Sequence, residues 1–337
     1  MSERVYLRAL PDVVRRPVSV SLAGGLVRFS EIAVHRRGAL VEVLPVDAVR
    51  ALYGEERVDA LIDLPAPRAG FTFERPRIMG VVNVTPDSFS DGGLHHRAEH
   101  AIEHGLALAD QGADILDIGG ESTRPGAEPV SADQECDRVL PVIEGLIAAK
   151  CKVPISIDTR KASIAAAALA AGATLFNDVS ALTHDPASIS ITAPAYCLMH
   201  AQGDPRTMQQ NPSYDDVLLD IYDFLEARVE AAVAHGIDRA QILIDPGIGF
   251  GKTLEHNMAL LRGLSLFHDL GCPILVGASR KRFIGTLSGV SDAGRRAPGS
   301  VAAALWAAGQ GAQVLRVHDV AETVQALSVW AALQEET

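Results

Sequence analysis

The chain has 337 residues, 48% of them hydrophobic and 21% charged, the composition of a globular protein long enough for one large domain or a barrel with a small addition. Its formal net charge of −12 argues against a nucleic-acid or anionic-membrane surface, while leaving room for a locally basic pocket that takes an anionic substrate. No apolar run reaches membrane-spanning length, the opening MSERVYLRALPDVVRR lacks a signal-peptide core, and Cys136, Cys151, Cys197 and Cys272 show no metal-ligand spacing, so reduced thiols in a cytoplasmic protein are expected.

Residues 1–72 read differently from the rest. They hold the apolar runs VSVSLAGGLVRF and GALVEVLPV, a turn or short helix near Asp47 to Tyr53, and the proline-containing connector LPAPRAGFTFERP. This is the pattern of a small α/β or β-rich appendage, and it carries no legible function.

From residue 77 onward, strand-like apolar runs recur about eight times, and nearly all stop on a polar residue able to do chemistry. In order they are RIMGVVNVT to Asn83 and Thr85, DILDIGGEST to Glu121 and Thr123, PISIDT to Asp158, and TLFNDVS to Asn177 and Asp178. AYCLMH to His200, QILIDPG to Asp245, PILVGASRK to Ser279 and Lys281, and VLRVHDV to Arg316 and His318 complete the set.

Helical segments fall between them. Ser131 to Gln134 has capping-box spacing, KASIAAAALAA precedes Gly172, and residues 214–235 repeat apolar positions at helical period before Gly236. The helix after the seventh strand is interrupted by SGVSDAGRRAPG, a loop. This βαβα alternation predicts an α/β fold, a TIM (β/α)8 barrel over residues 73–337 behind the N-terminal appendage, with its active site at the strands' C-terminal ends. A lone Asp or Asn after a strand is usually a turn former or helix cap; a full set with cations and carboxylates interspersed is not.

Two segments are the most specific. NVTPDSFSDGG, from Asn83 to Gly93, cannot continue a strand and reads as a long, polar first βα loop bearing one aromatic, Phe89. ESTRPGA, from Glu121 to Ala127, has the same character with one arginine. GIGFGKT at 247–253 resembles a P-loop but fails on spacing, because Pro246 stands where a glycine is needed. His95, His96, His100 and His104 read as surface rather than as a metal cluster.

Together with ISIDT, FNDV, LMHAQGDPRTMQ, DPGIGFGK, Ser279-Arg280-Lys281 and RVHDV, these loops resemble the dihydropteroate synthase family over residues 77–333. The resemblance implies condensation of 6-hydroxymethyl-7,8-dihydropterin pyrophosphate with 4-aminobenzoate, with Mg²⁺, in a homodimer. It places Asp158, Asn177, Asp245 and Lys281 at the pterin, and Thr123, Arg316 and His318 at the pyrophosphate. It places Arg124, Pro125, Phe250 and Ser279 at the aminobenzoate, Asn83 at the metal, and Phe89 and Asp91 above the reacting carbon. A pterin edge of donors and acceptors calls for carboxylates and an amide, and buried Asp245 calls for a cation such as Lys281. Arg282 departs from the serine that several family members carry there, and Arg160 after the IDT strand reads as a rim difference. A pterin-dependent methyltransferase barrel, which has no pyrophosphate to hold, and a non-catalytic pterin-binding paralogue are the alternatives.

Overall fold

A computed structural model describes residues 4–63, 65–66, 71–84, 94–122, 128–203 and 206–334. The N-terminal part is a four-stranded antiparallel sheet backed by two helices: β1 (Tyr6–Pro11), β2 (Val20–Ser21), β3 (Arg28–His35), β4 (Glu42–Pro45), α1 (Val46–Tyr53) and α2 (Glu55–Ile62). Strand β3 is the centre, pairing with β1 along one edge and with β2 and β4 along the other. Its alternate residues Ile32 and Val34, with Phe29 beyond the register shift against Leu10 and Pro11, meet Leu7, Ala9, Val49, Val58 and Leu61 in a core of its own.

Eight parallel strands follow, separated by helices: β5 (Arg77–Asn83), α3 (Leu94–Asp110), β6 (Ile115–Gly119), α4 (Ala132–Ala148), β7 (Ile155–Asp158), α5 (Ala162–Ala170), β8 (Leu175–Asp178) and β9 (Ala195–Met199). After these come α6 (Val217–Ala234), β10 (Ile242–Asp245), α7 (Leu254–Arg262), β11 (Leu275–Val276), α8 (Arg282–Ser288), α9 (Ala297–Gly309), β12 (Val314–Val317) and α10 (Val320–Gln334). The hydrogen-bonded order runs β10-β9-β8-β7-β6-β5-β12-β11, and an Ile244–Ile274 bridge brings the two ends together. This is the (β/α)8 barrel expected from the alternation of runs, with the small addition at its N-terminus.

Local chemistry accounts for the boundaries. The Ser131 hydroxyl accepts from the Gln134 N–H while the Gln134 carboxamide accepts from the Ser131 N–H, and Asp216 accepts from Leu218 and Leu219 at the start of α6. The interruption between α8 and α9 is held by Arg296, whose guanidinium donates to the carbonyls of Val290 and Arg280.

Side chains alternate across each strand. Outward residues such as Ile155, Ile157, Phe176, Ile242, Ile244 and Leu315 bury against the helices. Inward ones, Met79, Ile115, Leu175, Leu243 and Val314, fill the lower barrel with Phe71 and Phe73 of the connector. Those two rings meet edge to face with centroids 5.4 Å apart.

Candidate active site

The alternation that turns Ile115, Leu175, Leu243 and Val314 inward at the bottom of the barrel also turns inward the residues two or more positions further along each strand. Those are Asp117, Asn177, Asp245 and Arg316, joined by Asp158 of β7 and Asn83 of β5. The lower barrel is therefore apolar and its C-terminal mouth charged.

Arg316 is the hub. Its Nε donates to Asp117 Oδ2 at 2.6 Å and its Nη2 to Asp158 Oδ2 at 2.7 Å, while Asn177 Nδ2 lies 3.3 Å from both Asp117 oxygens. Asp117 has no exposed surface. Burial pushes the Asp158 carboxyl up to about 7, against the pull of Arg316 and with a further push from Asp117. Arg316 lies at the wall made by Asp117, Asp158 and Asn177, so its guanidinium lines the same space as the expected pterin residues.

Asp245 is 5% exposed and accepts the Gly247 N–H at 2.7 Å. Burial raises its pKa, and Lys281, Lys252 and Arg316 each oppose that rise. Lys281 caps α8, donates to the Ile248 carbonyl, and holds its ammonium 4.5 Å from the Phe250 ring centroid. Burial lowers Lys281 to about 8, with Asp245 resisting the change. Ser279 Oγ lies 3.0 Å from His318 Nδ1 and accepts the His318 N–H at 3.2 Å. Arg280, in the left-handed conformation at φ 57°, pairs with Asp319 next to His318 and so ties this turn to the end of β12.

Thus Asp158, Asn177, Asp245, Lys281, Phe250, Arg316, Ser279 and His318 all stand at one end of the barrel, with Asn83 at the end of β5. Phe89, Asp91, Thr123, Arg124 and Pro125 lie outside the described residues. Arg282 is exposed in the first turn of α8.

Two features were not anticipated. Asp117 was hidden inside an apolar run, although its inward position in β6 was the available signal. Arg160 is no rim residue: its side chain is 12% exposed and donates to Glu121 at 3.1 and 3.2 Å. Lys161 joins Glu121 to the fully buried Glu135, and Glu121 also accepts the Val130 N–H at 3.1 Å. The carboxylate that ends the second run is thus consumed in an ion network.

The fold and site define an α/β-barrel pterin protein, and the comparisons agree. The profile of the pterin binding enzymes matches residues 79–318, and the chain belongs to that family. The dihydropteroate synthase of Neisseria meningitidis serogroup C is 48% identical over 275 residues, which are 80% of this chain and 96% of the relative. The solved dihydropteroate synthase of Xanthomonas albilineans with 4-aminobenzoic acid aligns with a TM-score of 0.76 at 51% identity, covering 81% of this chain and all of that one. A second structure of that protein, in complex with 7,8-dihydropteroate, aligns with a TM-score of 0.71 at 44% identity over 81% of this chain and all of that one. Within the pterin binding enzymes, the chain belongs to the dihydropteroate synthase family.

Proposed function

We propose that this chain condenses 6-hydroxymethyl-7,8-dihydropterin pyrophosphate with 4-aminobenzoate, giving 7,8-dihydropteroate and pyrophosphate, a transferase step of folate biosynthesis. The observation that carries this reading is the convergence of Asp158, Asn177, Asp245, Lys281 and Arg316 on one barrel mouth, in a chain that matches whole dihydropteroate synthases.

The pterin's N–H groups find acceptors in the Asp158 and Asp245 carboxylates, and its ring nitrogens and carbonyl find donors in Asn177 and Lys281. Phe250 beside Lys281 supplies an aromatic wall shared with the aminobenzoate pocket, to which Ser279, Arg124 and Pro125 also contribute. A guanidinium has five N–H groups, so Arg316 can hold Asp117 and Asp158 and still donate to a pyrophosphate oxygen. His318 and Thr123 complete that anion site.

The methylene C–O bond breaks and its electron pair leaves on the pyrophosphate. The positive charge left at carbon is spread over the pterin ring and offset by the Asp91 carboxylate, the role that the family resemblance gives it together with Phe89. The arylamine nitrogen then forms the C–N bond and loses a proton. No covalent enzyme adduct is needed.

Asn83 fits a Mg²⁺ site, because that ion keeps several waters and takes only one or two protein oxygens beside substrate phosphates. Its carboxamide would hold the ion, which when bound supplies charge neutralisation to the departing pyrophosphate; among the described residues no cluster of His, Cys, Asp or Glu forms a metal cage. A homodimer through the late helices agrees with the outer face of α9, where Ala302 and Trp306 are exposed while Ala304, Ala307 and Ala308 pack inward. A cytoplasmic location agrees with the free cysteines and with the lack, among the described residues, of any helix long and apolar enough to cross a membrane.

The deciding experiment is pyrophosphate release from dihydropterin pyrophosphate and Mg²⁺, with and without 4-aminobenzoate. Release that depends on 4-aminobenzoate and yields dihydropteroate is expected. Tight pterin binding without release would overturn the catalytic reading in favour of a pterin-binding paralogue.

A further inference from the structure

The second βα connection leaves β6 at Gly119 and reaches α4 through Val130, and its base is held by a charge cluster that the proposed reaction does not use. Glu121, the first charged residue after the strand, has only 3% of its side chain exposed. Arg160 grips it in a fork, Nη2 donating to Oε1 at 3.1 Å and Nε to Oε2 at 3.2 Å. Lys161 Nζ donates to Oε2 at 2.9 Å and the Val130 N–H to Oε1 at 3.1 Å. Burial would raise the Glu121 carboxyl, but Arg160, Lys161 and the Val130 N–H together outweigh it and hold the group below its ordinary value.

The arrangement continues the sheet. Gly119 stands opposite Asp158 where β6 and β7 pair, and Glu121 and Arg160 each follow two positions later, so their ion pair joins the two strand ends above Asp158. The chain between is fixed from α4 as well. Arg138 donates to the Gly120 carbonyl at 2.8 Å, and a Cβ on Gly120 would stand 2.7 Å from Val139 and 3.0 Å from Glu135. Glu121 therefore sets where the connection starts and, through Val130, where it ends. The two cations act differently on it. Lys161 bridges Glu121 to Glu135, which has no exposed surface, so loss of Lys161 would strand a buried carboxylate. Without Arg160, Glu121 still keeps Lys161 and the Val130 N–H, and what is lost is the fork between the strand ends. A guanidinium bonding through two nitrogens fixes orientation as well as distance, which a single ammonium does not.

We propose that Arg160 is a positioning residue for the aminobenzoate side of the site: through its fork to Glu121 it fixes the base of the second connection, at Glu121 and Val130, relative to Asp158. The sequence between those two ends contains Thr123, Arg124 and Pro125, to which the proposed function gives the pyrophosphate and the aminobenzoate, and the inference rests on that reading.

The test compares two ligands by calorimetry on the full-length wild type, Arg160→Met and Arg160→Lys. One is 6-hydroxymethyl-7,8-dihydropterin, which fills the pterin pocket alone; the other is 7,8-dihydropteroate, which adds the aminobenzoate half. In Arg160→Met the affinity for 7,8-dihydropteroate should fall about tenfold, within the range for residues that act on a ligand without touching it, while affinity for the pterin alone stays within about twofold. The KM for 4-aminobenzoate should rise with that loss. Arg160→Lys keeps the charge without the fork and should recover only part of it. A merely structural arginine would lower Tm and leave both affinities unchanged, or weaken both equally; either pattern overturns the proposal, and full recovery in Arg160→Lys overturns the role of the fork. If Arg160→Met does not fold, Arg160→Gln decides by the same comparison. Binding requires no turnover, so a wild type that binds both ligands without making dihydropteroate would count against the enzymatic reading alone, whereas one that binds neither would overturn the pterin reading and this inference with it.

Discussion

Arg316 joins Asp117 and Asp158 only because inward positions on three neighbouring strands, β12, β5 and β6, and the next one, β7, lie side by side at the same mouth. Asp158, pushed up to about 7, must be ionised to accept a pterin N–H, so binding weakens as pH falls through that value. Lys281, lowered to about 8, loses its charge and one of its three N–H groups above that value, so its charge-assisted bond to the pterin, and with it binding, weakens as pH rises past it. Pterin affinity is therefore expected to peak in a narrow range between those limbs, measurable by calorimetric titration across pH, and Lys281→Met should abolish the basic limb. Asp117 pushes Asp158 up, so Asp117→Asn should move the acid limb to lower pH. The same change leaves Arg316 without one of its two carboxylates and should lower kcat/KM by roughly 10- to 100-fold, the order expected for one partner of a buried charge pair. An Asp117→Asn variant with an acid limb above that of the wild type would contradict this electrostatic account.

Elements were more legible than side-chain partners, and the turn after β10 shows why. GIGFGK announced itself as a tight βα turn, yet the reason for its glycines is tertiary. Gly247 has φ +68°, and a Cβ there would stand 1.9 Å from the His200 carbonyl oxygen of the neighbouring strand's end. Gly236, at the end of α6, has φ +93° with open space around it. Gly247→Ala should therefore cost at least about 2 kcal/mol, and with that about 3 °C in Tm for a chain of this length, whereas Gly236→Ala pays only the backbone term of about 1 kcal/mol. Thermal unfolding of the two variants checks the difference, and equal losses would mean that the chain end at His200 yields freely. Strand ends, helix caps and Asp158, Asn177, Asp245 and Lys281 could be read from runs and motifs because period and punctuation are local. Asp117 and Arg160 could not, because what decides their roles is a partner on another strand: Arg316 and Glu121 respectively.

At the scale of the whole molecule, the appendage and the site use different parts of the barrel. Tyr6 stacks edge to face on Tyr222 with centroids 5.1 Å apart, Arg37 donates to Asp220 and Asp223 at 2.7 and 2.6 Å, and Ser265 donates to the Ala9 carbonyl at 2.7 Å. The densest contact is Asp269, which lies in the connection from α7 to β11, before the strand begins rather than after it ends. Its side chain is 2% exposed and accepts from Arg57 at 2.7 and 3.0 Å, from the Leu7 N–H at 3.1 Å and from Tyr222 at 3.1 Å. Connections that enter strands sit at the opposite face of such a barrel from the catalytic mouth. Asp269→Ala strands three donors at once and should cost about 2–4 kcal/mol, more than Arg57→Ala, whose partly exposed guanidinium leaves the carboxylate two other donors. Urea unfolding of both variants reads those costs, and limited proteolysis should cut the loosened appendage first. Because the perturbed contacts lie away from Arg316, Asp245 and Lys281, the folded fraction of Asp269→Ala should keep the wild-type KM for both substrates. A raised KM for the pterin in that variant would instead mean that the appendage transmits to the mouth through α6 and the β9 end, where Tyr214 and His200 meet with ring centroids 5.9 Å apart.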